Sequence, residues 1–143
     1  MGLERKLEKI SYVIERLKSE ISVDALLVVE GEKDIKALRD MGIACNIVAV
    51  KSSGKSVPDI IDEIISTGSK EIILLMDFDR RGKELTKRLV ESLEAARIKV
   101  DISFWKEIYS ILNNDVKDIE GLAAYIRTLK RKVEGNETIN LLN

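Results

Sequence analysis

The sequence predicts an α/β fold on a mostly parallel sheet of about four strands, flanked by helices. Two observations carry it. Short continuous apolar runs at residues 25–29, 47–50 and 72–75 read as strands buried on both faces. They alternate with longer stretches of helical periodicity, the pattern of βαβ units. The length of 143 residues suits a single domain that folds without covalent staples.

In chain order, Leu3, Leu7, Ile10, Ile14, Leu17 and Ile21 recur at spacings of four and three. They form one apolar seam on an N-terminal helix over 1–22. That seam serves either packing on the domain's own sheet or a homodimer, and Tyr12 flanks it. Ala25-Leu26-Leu27-Val28-Val29 is the first strand and ends at Glu30-Gly31. A short helix follows with Ile35, Leu38 and Met41 inward and Gly42 as its stop. Ile47-Val48-Ala49-Val50 is the second strand, and a polar loop, Lys51-Ser52-Ser53-Gly54-Lys55, comes next. Ser56, three residues before Asp59 and with Pro58 in the first turn, starts another helix. Its core face is Ile60, Ile61, Ile64 and Ile65, and Gly68 closes it. The third strand, 72–75, runs into Asp77-Phe78-Asp79-Arg80-Arg81-Gly82 and a helix with Leu85, Leu89 and Leu93 inward. Residues 100–104 read as a fourth strand. Trp105 and Tyr109 share a helix face and read as core or dimer packing. Asp118 caps a last helix bearing Leu122, Tyr125, Ile126 and Leu129. The chain therefore divides into the N-terminal helix (1–22), an α/β core (24–104) and a C-terminal helical extension (105–143).

Composition excludes several chemistries. There is no His and one cysteine, Cys45, so neither an internal disulfide nor a standard structural zinc site can form. Imidazole-based nucleophilic catalysis is absent for the same reason. Cys45 precedes a strand and reads as buried and inert. A net charge of -1 is not that of a basic nucleic-acid-coating protein, though a local basic rim still binds phosphate. No apolar run reaches the ~20 residues of a membrane span, and the start alternates charges with apolar residues, unlike a signal peptide. The expected compartment is the cytoplasm. Charged residues at 34% and the absence of Gln match the bias of thermophile proteins.

In open α/β sheets functional groups collect at the carboxyl ends of the strands. Here that rule selects Glu30, Lys51, Asp77 and Asp79. If the first and third strands are neighbours, three carboxylates face one crevice. Two carboxylates ~5 Å apart repel by roughly 3 kcal/mol at an effective dielectric of ~20. An all-oxygen, acidic pocket that relieves such repulsion suits Mg²⁺ or Mn²⁺. Read alone, an Asp-x-Asp at a strand end is a loop with capping aspartates. Three acids ending two apolar strands, flanked by cations, favour a metal site. Gly82 lets the chain turn closely into the next helix.

These residues reach a family resemblance. Val29-Glu30-Gly31-x-x-Asp34-x-x-Ala37-Leu38, then Asn46-Ile47-Val48-Ala49-Val50, then Asp77-x-Asp79-x-x-Gly82 resembles the Toprim domain. That domain is shared by bacterial-type primases, topoisomerases, small ribosomal-RNA maturases and some phage-defence nucleases. The resemblance implies that Glu30 is the acid/base glutamate and a metal ligand. It implies that Asp77 and Asp79 bind Mg²⁺, with Asp34, Gly31 and Gly82 in support. Lys83 stands where topoisomerases usually carry Glu. The chain is too short for the gate domains of topoisomerases, and it lacks the ligands for a primase zinc module. What remains is a maturase-like nuclease, acting on RNA rather than DNA, or a non-catalytic RNA-binding accessory on the same scaffold.

Lys33, Lys51, Lys55, Arg80 and Arg81 are the candidate phosphate-binding cations, with Arg80 and Arg81 inside the metal motif. The Arg127-x-x-Lys130-Arg131-Lys132 run fits a phosphate-facing tail or a solvated helix end. Few aromatics are available for base stacking, and Phe78 reads as core. A receiver-type signalling domain would want its acidic pair after strand one. Here the pair follows strand three. A phosphatase with an Asp-x-Asp nucleophile also wants its pair after the first strand. The expected partners are nucleic acid and, through the N- or C-terminal helices, a second copy of the chain.

Overall fold

The computed structural model describes residues 2–51, 54–112 and 115–142, with 136–142 described as helix backbone alone. The order is α1 (Leu3–Glu20), β1 (Leu26–Val29), α2 (Glu32–Asp40), β2 (Asn46–Ala49), α3 (Val57–Ser66), β3 (Ile72–Leu75), α4 (Arg80–Ala95), β4 (Val100–Asp101), α5 (Ser103–Leu112) and α6 (Ile119–Leu142). The four strands form one sheet in the order β2-β1-β3-β4, and every pairing is parallel. The α/β parallel fold is as the sequence predicts.

Strand alternation divides the core. Leu27, Val29, Ile73 and Leu75 face α1, α2, α5 and α6. Leu26, Val28, Ile72 and Leu74 face α3 and α4. Both central strands are therefore buried on both sides, which is why they read as unbroken apolar runs. The N-terminal seam is used within the chain: Ile10, Ile14 and Leu17 are buried in the cluster shared with α5 and α6.

Local signals account for most boundaries. The Ser56 hydroxyl accepts the Asp59 N–H at the start of α3, and Asp118 accepts the Gly121 N–H at the start of α6. Gly42 and Gly68 carry positive φ, 93° and 71°, a conformation that glycine adopts without a steric penalty. Two expectations need correction. The fourth strand stops at Asp101, because that carboxylate accepts both the N–H and the hydroxyl of Ser103 and turns the chain into α5. Phe104 is thus helical. Ile65 is 44% exposed, since the α3 stripe that meets the sheet is only Ile60, Ile61 and Ile64 wide.

The topology fixes where a site forms. From β1 the chain moves to β2 on one side, then crosses back to β3 on the other. The carboxyl ends of β1 and β3 therefore flank the switch point of the sheet, where a crevice opens.

Candidate metal and phosphate site

Glu30, one residue past β1, is buried. Its Oε1 accepts the Asp77 N–H at 3.0 Å, and its Oε2 meets Lys51 Nζ at 3.0 Å. Lys51 also approaches Asp77 Oδ2 at 3.9 Å. It is placed by β-type pairing that runs past the strands, its N–H donating to the Glu30 carbonyl at 2.9 Å. The Lys51 ammonium is held above its ordinary pKa, first by the hydrogen bond to Glu30.

Asp77 sits between β3 and α4. Burial, then the carboxylates of Glu30 and Asp34, push it up to about 7. Asp34, in the first turn of α2, is buried. Its Oδ2 accepts the Gly31 N–H at 3.1 Å, and its Oδ1 accepts the Glu120 N–H at 2.9 Å. Burial raises its pKa as well.

Asp34, Asp77 and Asp118 each offer a carboxylate oxygen, all within 4.8 Å of one another, the one such acidic group among the described residues. Asp118 arrives from the α5–α6 connection, which is tied to the motif by the Phe78 N–H donating to the Lys117 carbonyl at 2.6 Å. From the sequence Asp118 reads only as a helix cap. Nothing in helical periodicity says that α6 starts against the ends of β1 and β3.

Asp79 is placed differently from Asp77. β3 ends at Leu75, so strand alternation no longer governs the motif. Asp79 is exposed, and its Oδ1 accepts the Gly82 N–H at 2.8 Å as the cap of α4. Gly31 and Gly82 both serve the backbone of the site. Phe78 is core, as expected, stacked on Trp105 at 6.0 Å, and Trp105 stacks on Tyr109 at 5.9 Å.

The cations spread around the crevice. Lys51, Lys55 and Arg81 line a cleft of about 420 Å³ together with Glu30. Lys55 is ion-paired with Glu63. Arg80 points outward and pairs with Glu84 at 3.3 Å. Lys33 is exposed on α2 and does not line that cleft. Ser52 and Ser53 lie outside the described residues.

The model of the Toprim domain matches residues 25–105. The chain belongs to the Toprim family. A UPF0292 protein of Methanocaldococcus jannaschii is 34% identical over 126 residues, covering 88% of this chain and 96% of that one. A UPF0292 protein of Thermococcus kodakarensis is 34% identical over 107 residues, covering 74% and 77%. These relatives make it a small Toprim protein of the UPF0292 group, with homologues in thermophilic archaea. Among solved structures, a putative protein from Aquifex aeolicus superposes with a TM-score of 0.62 at 30% identity, covering 77% of this chain and 94% of that one. The Toprim match ends before α6, so Asp118 is supplied from outside the family core. Among the described residues no helix is long and apolar enough to cross a membrane.

The donor set fits a hard divalent cation. It consists of carboxylates only, two of them raised in pKa by burial. Oxygen-rich clusters of this kind suit Mg²⁺ or Mn²⁺.

Proposed function

We propose that this Toprim protein is a Mg²⁺-dependent nuclease that cleaves phosphodiester bonds, with RNA as its substrate. The observation that carries the reading is the meeting of Glu30 and Asp77 at the switch point. A buried glutamate is fixed there by a backbone N–H, beside an aspartate that burial and neighbouring carboxylates push up to about 7.

Each residue has a role that its placement supports. Glu30 moves the proton, as general base toward water or general acid toward the leaving oxygen. Its two oxygens are oriented by different donors, the Asp77 N–H and the Lys51 ammonium, so little reorganisation precedes the transfer. Asp77 would hold the ion, with Asp79 and Glu30 as the family pattern assigns and Asp34 and Asp118 as neighbours. When bound, the ion supplies charge stabilisation at the phosphate oxygens. Lys51 and Arg81 orient the backbone phosphate without reading sequence. RNA is favoured by the likeness in size and motif to small ribosomal-RNA maturases.

The test is Mg²⁺- and Mn²⁺-dependent cleavage of mixed RNA and DNA substrates by wild type, Glu30→Gln and Asp77→Asn. Loss of at least ~10²-fold in rate in both variants is expected. A wild type that cuts nothing, or variants that cut equally well, would overturn the catalytic reading.

A further inference from the structure

The cleft beside Glu30 carries an assignment that the metal motif does not. It lies between α3, the β2–α3 connection and α4, with a volume of about 420 Å³. Lys51, Lys55, Arg81 and Arg88 line it, against the carboxylates of Glu30 and Glu84. Four of the lining charges are already matched. Lys51 meets Glu30, Lys55 meets Glu63, and Glu84 meets Arg80 outside the cleft. Among the described residues Arg81 and Arg88 form no ion pair. Arg81 also stands near enough to Lys51 to oppose its protonation. The cleft therefore holds two uncompensated guanidinium groups on one wall.

Their spacing has a direction. Arg81 and Arg88 are seven residues apart on α4, two turns on one face and roughly 10 Å along the axis. Val57, Ile60 and Leu85 add apolar side chains to the same lining. Guanidinium groups sharing a cleft with apolar side chains fit phosphates joined to flat, weakly polar rings. At about 420 Å³ the cleft has room for a nucleotide or two of one strand, not for the paired strands of a duplex.

We propose that this cleft is the path of one nucleic-acid strand running from Glu30 along α4, and that Arg88 binds a backbone phosphate beyond the one at the acidic crevice. The proposal rests on the nucleic-acid part of the reading above and adds the strand class, the path and Arg88.

The experiment is binding, measured without metal so that cleavage plays no part. Fluorescence anisotropy in EDTA would follow a labelled single-stranded RNA of about a dozen nucleotides, and its duplex form, between about 50 and 200 mM KCl. Wild type is expected to prefer the single strand. Arg81→Glu and Arg88→Glu should each weaken it about tenfold and lower the salt slope by about one. Arg88→Lys should recover most of the loss. Lys87→Glu is the control: the same charge change on the same helix, on a face that lines a different pocket with Trp105. It should stay within about twofold. Arg88 is exposed, so unchanged thermal unfolding of its variants separates binding from folding.

Wild-type affinity retained in Arg88→Glu, an equal loss in Lys87→Glu, or tighter binding of duplex would each overturn the proposal. The two readings fail separately. Arg88-dependent binding without any cleavage sinks the nuclease and leaves the strand path. Cleavage with binding indifferent to Arg88 does the reverse.

Discussion

Gly82 lies against the backbone of Asp77, and a Cβ on Gly82 would meet the Asp77 carbonyl oxygen at 2.0 Å. The partner is main chain, so no side-chain rotation relieves the overlap. Any larger residue at 82 must push α4 away from the segment that carries Asp77. Gly82→Ala is expected to lower stability by about 1–3 kcal/mol, the range of an overpacked core. Gly31→Ala is the contrast. Its nearest neighbour would be Asp34 Oδ2 at 3.7 Å, an ordinary contact, and its loss should stay under ~1 kcal/mol. Urea unfolding followed by circular dichroism reads both.

The acidic crevice makes stability depend on pH in a defined direction. Asp77 is raised from 3.8 to about 7, by burial first and then by Glu30 and Asp34. The folded state therefore holds a proton that the unfolded chain has lost, and stability falls as pH rises from about 4 to about 7. Asp34, also raised by burial, adds in the same sense. A divalent cation competes with that proton. In EDTA, Tm should drop between pH 5 and pH 8. Added Mg²⁺ should restore it at pH 8 and do little at pH 5. Asp77→Asn should raise Tm at pH 8 in EDTA and abolish the Mg²⁺ increment. A wild-type Tm that ignores Mg²⁺ at pH 8 would remove the metal from this crevice.

The strands and the positions of Glu30 and Asp77 were legible because their signals are local. Residues 26–29 and 72–75 are apolar without interruption, and each run ends abruptly at an acid. A continuous run means burial on both faces, and in a parallel sheet its end is the functional edge. What escaped the sequence depends on where chain segments return. Asp118 reads correctly as a cap, yet its approach to Asp34 and Asp77 follows from the docking of α6, which no periodicity encodes. Asp79 looked equivalent to Asp77 under the two-residue repeat, but the repeat lapses at Leu75 and the side chain turns to cap α4. Arg88 escaped because it sits two helical turns beyond the motif, on a face recognisable only once α3 is in place.

Trp105 bridges the two halves of the motif's support. Its indole N–H donates to the Met76 carbonyl at 2.9 Å, and its ring stacks on Phe78, the residue between Asp77 and Asp79. Trp105→Phe keeps an aromatic ring but leaves a buried carbonyl without its donor. A loss of about 1–3 kcal/mol is expected. Because the chain has one Trp, emission of the wild type also reports on the crevice. Mg²⁺ should shift the Trp105 spectrum in wild type and not in Asp77→Asn.

Asp34 joins two helix starts, its own in α2 and that of α6, where its partner Glu120 lies 86 residues on. One carboxylate oxygen serves Gly31 at the start of α2 and the other serves Glu120 at the start of α6. The entry of the C-terminal helix is thus fastened to the acidic crevice by a buried side chain. Asp34→Ala would leave both backbone N–H groups unsatisfied, at a cost of about 2–3 kcal/mol. That loss should not spread evenly. α6 packs on α1 and α2, and its first turn depends on Asp34 and Asp118, so the helix should open before the sheet does. Hydrogen exchange on Asp34→Ala should show faster exchange at Glu120 and across residues 119–126, with β1 and β3 still protected. Asp34→Asn, which keeps one acceptor oxygen, should fall between the two. Equal acceleration in β3 and α6 would mean that Asp34 supports the whole fold and not the docking of one helix.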